Sequence, residues 1–223
     1  MLGFAMGQLF IGPWSDRVGR RTPLIAGLAL LVAASIVSML SHEISWLLAA
    51  RLLQGVGASS AAVIAVATAR DLFSGGALAQ ALSGIAIVQS LAPLVAPVVG
   101  SLQLVLVGWR GVFGLLGLYA LVVLILVVPR LPADTASAGR GDRALTRYRR
   151  LLPDRPLRAL LLLAGLRFTA LFTFLQWSPF LLQQERGMTA VEYGVAFAAV
   201  TLGMMLGLQL SPRALRRGMA PAR

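Results

Sequence analysis

Residues Gly7 to Arg21 read GQLFIGPWSDRVGRR, and this stretch decides the fold because it joins two long apolar segments through a basic turn. Gly12 and Pro13 are residues that turn a chain, and Asp16 can cap the helix that follows. Three arginines close the stretch. We therefore predict a short basic loop between two helices.

The composition excludes an ordinary soluble enzyme. Of 223 residues, 58% are apolar and 13% are charged, against about 25% charged in soluble domains. The natural solvent for most of this chain is lipid. With no cysteine and one histidine, neither a disulfide framework nor a zinc site is expected, so we predict no metal and no cofactor.

The apolar segments have the length of membrane helices, for which about 20 residues are needed. Five carry at most one charge each, and they are Thr22 to Ser41, Ile44 to Ala69, Gly111 to Pro129, Ala159 to Gln184 and Tyr193 to Pro212. The stretch between Leu72 and Trp109 is too long for one span and barely too short for two. One span there, Ala77 to Gly100, brings the total to six.

The distribution of arginine supports six spans. Arginines near span ends collect on the cytoplasmic side. With six spans, 16 of the 20 basic residues fall on one face and only Arg110 and Arg186 on the other. The net charge of +12 therefore indicates membrane orientation, and we expect the lipid bilayer as a partner but no nucleic acid.

The polar segment within residues 129–158 carries eight arginines and divides the chain. We predict an N-terminal membrane half at 1–128, a cytoplasmic basic linker at 129–158 and the start of a second half at 159–223. The linker is either a short helix on anionic lipid or a solvated loop. Met1 to Ile11 spans only about half a bilayer, and we expect it to be the tail of a helix whose beginning is missing.

The basic loop resembles the signature loop that follows the second helix in the major facilitator superfamily. The resemblance rests on one ordered set of residues in this sequence, namely Gly12, Pro13, Asp16, Arg17, Gly19, Arg20 and Arg21. Trp14 departs from the leucine that is usual there. The resemblance implies an all-α membrane protein, a partial major facilitator bundle with the end of helix 2 and helices 3 to 8.

Two further spans resemble motifs of this superfamily. Arg51, Gln54 and Gly55 share a helical face and resemble its fourth-helix motif. The segment APLVAPVVG resembles the fifth-helix motif of its antiporters, and the residues that carry this resemblance are Gln89, Pro93, Pro97 and Gly100. The alternative for the second segment is a kinked packing helix.

Three shorter stretches resemble the bicyclomycin-resistance (Bcr/CflA) type of multidrug efflux transporter. They are ARDLF at Ala69 to Phe73, GWRGVF at Gly108 to Phe113 and SPFLLQQERGM at Ser178 to Met188. This resemblance implies a twelve-helix carrier of the bacterial inner membrane that exports drug-like amphiphiles in exchange for protons. Alternating access needs two halves, so we expect no transport by this chain alone.

Charged residues suggest further roles. Arg70 and Asp71 end a predicted span on the same side as the signature loop, and we hypothesise a gate in which Asp71 pairs with Arg17 or Arg20. Two polar residues, Arg167 and Gln176, are candidates for a substrate cavity, although they lie on opposite faces of a straight helix.

An arginine in hydrocarbon is costly, so Arg51 either lines a cavity or reaches outward to the interface. No carboxylate lies deep in a span, and proton coupling is therefore implied by the resemblance alone. An intramembrane enzyme is disfavoured because the spans lack histidine, cysteine and carboxylate groups. The alternative function is a short membrane-embedded assembly or regulatory partner that binds other helices through small residues such as Gly203 and Gly207.

Overall fold

The computed structural model describes residues 1–130, 153–189, 191–199 and 202–203. These residues are largely helical and include no β-strand. The elements are α1 (Leu2–Val18), α2 (Arg21–Leu40), α3 (Ile44–Leu72), α4 (Gly75–Val127), a 3₁₀ turn (Val128–Arg130), α5 (Arg155–Pro179), a π-helix (Phe180–Glu185) and α6 (191–199).

Three helices in the described part of the chain are long and apolar enough to cross a membrane. They are α2 (Arg21–Leu40), α3 (Ile44–Leu72) and the Val99–Val127 part of α4, and the Gly75–Gln89 part of α4 is apolar but shorter. The first two agree with the predicted spans from Thr22 and Ile44. The predicted span from Tyr193 and the 129–158 linker lie mostly outside the described residues.

The predicted turn at Gly12 and Pro13 is wrong, because α1 continues through both residues to Val18. The proline ring fixes a φ that is compatible with a helix, although it removes one hydrogen bond. The chain turns instead at Gly19, whose φ of 96° lies in the left-handed region that favours glycine. Asp16 does not cap α2, since the N-cap residue is Arg20 and no side chain bonds there.

The predicted break between the spans around Ala77–Gly100 and Gly111–Pro129 is shorter than expected. Helix α4 continues past Gly100, and its one non-helical residue is Gly108, with a φ of 68°. Only this residue interrupts the helical backbone, so the two predicted spans almost meet.

The chain divides into two units, the first formed by Met1–Ile85 and Val107–Leu163 and the second by Ala86–Leu106 and Ala164–Arg223. In the first unit, α3 packs against both α1 and α2. A Cβ added to Gly57 would lie 2.6 Å from the carbonyl oxygen of Gly27, and one added to Gly55 would lie 2.8 Å from the backbone nitrogen of Phe4. Glycine therefore allows the backbones to approach closely.

The core of the first unit is a small cluster of apolar side chains. Ile11, Leu24, Leu28 and Ile64 are buried together, and Val123 and Leu124 from the end of α4 pack against them. Hydrocarbon offers these side chains an apolar solvent, so close van der Waals packing is what favours the contact.

In the second unit, α5 and α6 are joined by polar and aromatic contacts. The hydroxyl oxygens of Ser178 and Tyr193 lie 2.9 Å apart and are buried, and the rings of Phe174 and Phe197 stack at 6.1 Å. Thr189 and Glu192 form a reciprocal cap at the start of α6. The backbone N–H and hydroxyl of Thr189 lower the pKa of Glu192.

We predict that Gly57→Ala destabilises the first unit by about 1–3 kcal/mol, because the methyl group meets backbone atoms of Gly27 and Leu31. Gly84→Ala is the matched control, since no atom lies within 4 Å of its added Cβ. Reversible unfolding of both variants in mixed micelles, followed by circular dichroism, measures the difference. Equal stability of the two variants would contradict the close packing.

Candidate functional site

Arg20 is the centre of a charge cluster that also contains Ser15, Asp16 and Asp71. Its Nε donates to Asp71 Oδ2 at 2.7 Å, and its Nη2 donates to Oδ1 of the same carboxylate at 3.4 Å. Its Nη1 donates to Asp16 Oδ1 and to Ser15 Oγ, both at 2.7 Å. One guanidinium thus contacts two carboxylates and a hydroxyl, and we call these four residues the Arg20 cluster.

Local structure explains how the Arg20 cluster forms. Gly19 turns the chain after α1, and Arg20 follows it directly at the start of α2. Asp71 is the penultimate residue of α3, so its carboxylate comes from the end of a different helix. The hydrogen bond between Arg20 and the carboxylate of Asp71 is the main reason that the pKa of Arg20 is raised. The cluster joins the ends of α1, α2 and α3.

Of the two predicted partners for Asp71, Arg20 makes the contact. Arg17 and Arg70 are exposed, and Arg21 is half-buried in the first turn of α2. Gly12 and Pro13 belong to the last turns of α1, where the carbonyl oxygen of Gly12 accepts a hydrogen bond from Ser15 Oγ at 2.9 Å.

A second polar group, which we call the Arg51 network, lies within α2 and α3. Arg51 Nη1 donates to Gln54 Oε1 at 3.1 Å, and Gln54 Nε2 donates to Ser35 Oγ at 2.9 Å. Ser35 in turn donates to the carbonyl of Leu31 at 2.7 Å. Gln54 is 3% exposed and Ser35 is fully buried.

Helix α4 completes the surroundings of the Arg51 network. The guanidinium carbon of Arg51 lies 5.5 Å from the centre of the Phe113 ring, a distance typical of a cation–π contact. One turn further, a Cβ on Gly117 would lie 3.1 Å from Ser35 Cβ. The contact with Gln54 directs Arg51 toward the middle of α3, away from the nearer helix end. The structure thus joins Arg51 to Gln54 and Phe113, and whether Arg51 lines a cavity or reaches the interface stays a prediction.

The remaining predicted site residues belong to the second unit of the chain. The fifth-helix residues lie in α4, where Gln89 is exposed and Gly100 half-buried. The side chains of Pro93, Pro97 and Arg167 lie outside the described residues. Gln176 is exposed on α5. A role for Arg167 and Gln176 in a substrate cavity stays a prediction.

Sequence reasoning missed Ser35, Phe113 and the contacts of Arg110. Arg110 Nη2 donates to the Ser41 carbonyl at 3.2 Å and lies 3.3 Å from His42 Nδ1, at the end of α2 opposite the Arg20 cluster. A hydroxyl in an uncharged span was the available signal for Ser35. In the described part of the chain, no group of three His, Cys, Asp or Glu residues could hold a metal.

Known proteins match this chain over nearly its whole length. The model of the Major Facilitator Superfamily matches residues 1–222. An MFS-type transporter of Bacillus subtilis, YdgK, is 30% identical over 93% of this chain and 53% of its own. The multidrug resistance protein MdtL of Klebsiella pneumoniae is 29% identical over 96% of this chain and 55% of its own length. The chloramphenicol resistance protein CraA of Acinetobacter baumannii is 27% identical over 93% of this chain and 51% of its own length.

The fold has a solved counterpart in the human organic anion transporter MFSD10. It aligns with a TM-score of 0.60 and 24% identity over 91% of this chain and 52% of its own. The chain thus spans about half the length of the relatives it matches. The all-α bundle is confirmed, and so is the prediction that the chain is not an enzyme, because its relatives are transporters. The chain is a membrane protein that belongs to the Major Facilitator Superfamily.

Proposed function

We propose that this chain is part of a drug-efflux transporter of the Bcr/CflA type, which exports small amphiphilic molecules by alternating access. Relatives named for multidrug and chloramphenicol resistance support the substrate class. The observation that carries the proposal is the Arg20 cluster, since Arg20 of the signature loop contacts both Asp16 of the same loop and Asp71 at the end of α3.

In the proposed topology, the Arg20 cluster faces the cytoplasm of a bacterial cell. Residues 1–128 form most of an N-terminal half, residues 129–158 form a cytoplasmic linker and residues 159–223 begin the second half. The carrier then lies in the inner membrane, and the C-terminus of this chain is on the cytoplasmic side. The support is the arginine distribution, together with the positions of Arg20 and Arg110 at opposite ends of α2.

The proposed role of the Arg20 cluster is to bias the carrier toward the conformation with a closed cytoplasmic side. The side chains of Arg20, Asp16 and Asp71 are 25%, 46% and 51% exposed. Exposed ion pairs contribute about 0–1 kcal/mol each. Contacts of this size shift a conformational equilibrium severalfold and still allow the carrier to open.

Exchange of drug for protons is proposed on the resemblance to antiporters. The carboxylates in the described part of the chain are all exposed near helix ends: Asp16, Glu43, Asp71, Asp154, Glu185 and Glu192. A proton pathway normally contains a protonatable group within the membrane. We therefore propose that the coupling group belongs to another part of the complete carrier.

We predict that Asp71→Asn in the complete carrier slows efflux of chloramphenicol about two- to fivefold, because the Arg20 guanidinium loses an ionic partner. The assay follows drug accumulation in a bacterial host that lacks its own efflux pumps. Asp154→Asn removes an equal charge at an exposed position near the start of α5 and is the control. Unchanged efflux by a normally expressed Asp71→Asn carrier would refute the gate.

Membership in a twelve-helix carrier predicts the mass of the native protein. Purified from its own membranes with an antibody to residues 129–158, it should have roughly twice the 23.6 kDa of this chain. A native mass of 23.6 kDa would instead favour a membrane-embedded assembly or regulatory partner without transport activity of its own.

A further inference from the structure

A surface groove of about 390 Å³ lies where the chain passes from α2 to α3, and we call it the Glu43 groove. Four apolar side chains and two polar residues carry the argument. The apolar ones are Ile36, Val37, Leu40 and Trp46, and the polar ones are His42 and Glu43. The Glu43 groove thus combines an apolar surface with a carboxylate.

The Glu43 groove lies on the side of α2 that faces away from its neighbouring helices. Ser35 and Ser38 are on the buried side of α2, and Ser35 is close to both α3 and α4. By helical periodicity, Ile36, Val37 and Leu40 are on the opposite side, where they are 50%, 43% and 60% exposed. The groove therefore opens away from the contacts of α2 with α3 and α4.

A positive charge lies beside the groove. Arg110 Nη2 donates to the carbonyl oxygen of Ser41 and lies 3.3 Å from Nδ1 of His42, and both of these residues line the groove. The Trp109 ring lies 5.0 Å from the guanidinium carbon of Arg110. The contacts of Arg110 thus hold its charge next to the groove that contains Glu43.

The position of the Glu43 groove along the helices is that of a membrane–water interface. Helix α2 ends at Leu40 and α3 begins at Ile44, so the polar residues of the groove belong to the link between two spans. Trp46 and Trp109 are 64% and 45% exposed, and tryptophan is enriched at both interfaces of a membrane. An acyl chain can therefore lie along the apolar walls while its head group stays at the link.

We propose that the Glu43 groove binds a phospholipid whose head group carries a primary ammonium, as in phosphatidylethanolamine. The ammonium donates hydrogen bonds to the carboxylate of Glu43, and the phosphate accepts them from Arg110. One acyl chain lies against Val37 and Leu40. This lipid site goes beyond the proposed function, because lipid binding does not require transport.

The head group determines the selectivity of such a site, because an acyl chain is surrounded by hydrocarbon whether or not it occupies the groove. A primary ammonium has three N–H donors for a carboxylate, whereas the quaternary ammonium of phosphatidylcholine has none. Phosphatidylglycerol supplies the phosphate without a cation and would bring its negative charge close to Glu43. The pair of Glu43 and Arg110 therefore favours phosphatidylethanolamine over both.

Native mass spectrometry of the full chain in detergent micelles tests this preference. Phosphatidylethanolamine, phosphatidylcholine and phosphatidylglycerol with identical acyl chains are added separately, and the Kd of the first bound lipid is measured. We expect phosphatidylethanolamine to bind about fivefold more tightly than either of the others, which is the effect of one partly exposed ionic contact.

Charge variants assign the preference to Glu43 and Arg110. Glu43→Gln should lower the affinity for phosphatidylethanolamine to that for phosphatidylcholine. Glu185→Gln is the matched control, because it makes the same change at an exposed carboxylate of the second unit, and it should bind like the unaltered chain. Arg110→Gln should weaken binding of all three lipids severalfold, since each carries a phosphate. Circular dichroism of each variant checks that it is folded.

A second pair of variants tests whether the acyl chain occupies the groove. Val37→Trp fills the groove and should weaken binding of phosphatidylethanolamine severalfold. Ile25→Trp adds a side chain of the same size at an exposed position of the same helix, outside the groove, and should leave binding unchanged.

Equal binding of phosphatidylethanolamine and phosphatidylcholine would overturn the proposal, as would equal effects of Glu43→Gln and Glu185→Gln. Tighter binding of phosphatidylglycerol would show that positive charge alone attracts the lipid, and would also overturn it. The same titration of the complete carrier should give the same Glu43-dependent preference, and its absence there would refute the site. Loss of efflux by the complete carrier would refute the proposed function alone and leave the lipid site.

Discussion

The first unit depends on the close approach of α3 to α2, which Gly27 and Gly57 allow. Any side chain at Gly57 would meet backbone atoms of α2. In lipid, apolar side chains gain little by leaving their surroundings, so helix association depends on such close packing and on interhelical hydrogen bonds. The 2.9 Å bond between Gln54 and Ser35 forms between the same two helices. Close packing and the buried polar contact thus hold the same pair of helices together.

The charged groups of the first unit are placed by their cost in hydrocarbon. The Arg20 cluster joins one set of helix ends, and Arg110 joins α4 to Ser41 at the opposite end of α2. The span after Gly108 then follows α2 back, since Gly114 lies near Met39 and Gly117 lies near Ser35. Arg51 is the described exception to this distribution, because its charge is held within a span. A functional role is the simplest reason to retain such a charge.

The sequence was sufficient for the spans that begin at Thr22 and Ile44 because their signal is long and apolar, and Thr22 to Ser41 differs by one residue at each end from α2. The contact of Asp71 with a signature-loop arginine was also predictable, since charges at adjacent span ends have few other partners. The residue at which α1 ends was not predictable from the sequence. Gly12 and Pro13 carry a stronger turn signal than Gly19, yet the turn requires the positive φ that Gly19 adopts.

The Arg51 network shows where periodicity is insufficient. Spacing on one helix placed Arg51 and Gln54 on a shared face, and the structure joins them. Ser35 and Phe113 belong to other helices, and their selection depends on which helices are neighbours and at what depth. Spacing within one helix contains no such information. For the same reason, Arg20 could not be distinguished from Arg17 as the partner of Asp71.

The central claim is that the two ends of this helical unit face opposite sides of the membrane. The chain contains no cysteine, so single cysteines can be introduced at Asp154 and at Glu43, which follows the His42 that Arg110 contacts. A membrane-impermeant maleimide applied to intact bacterial cells should label Glu43→Cys immediately and Asp154→Cys only after the membrane is permeabilised. Labelling of Asp154→Cys in intact cells, with Glu43→Cys protected, would contradict the proposed orientation. Equal labelling of both would contradict a membrane-crossing bundle.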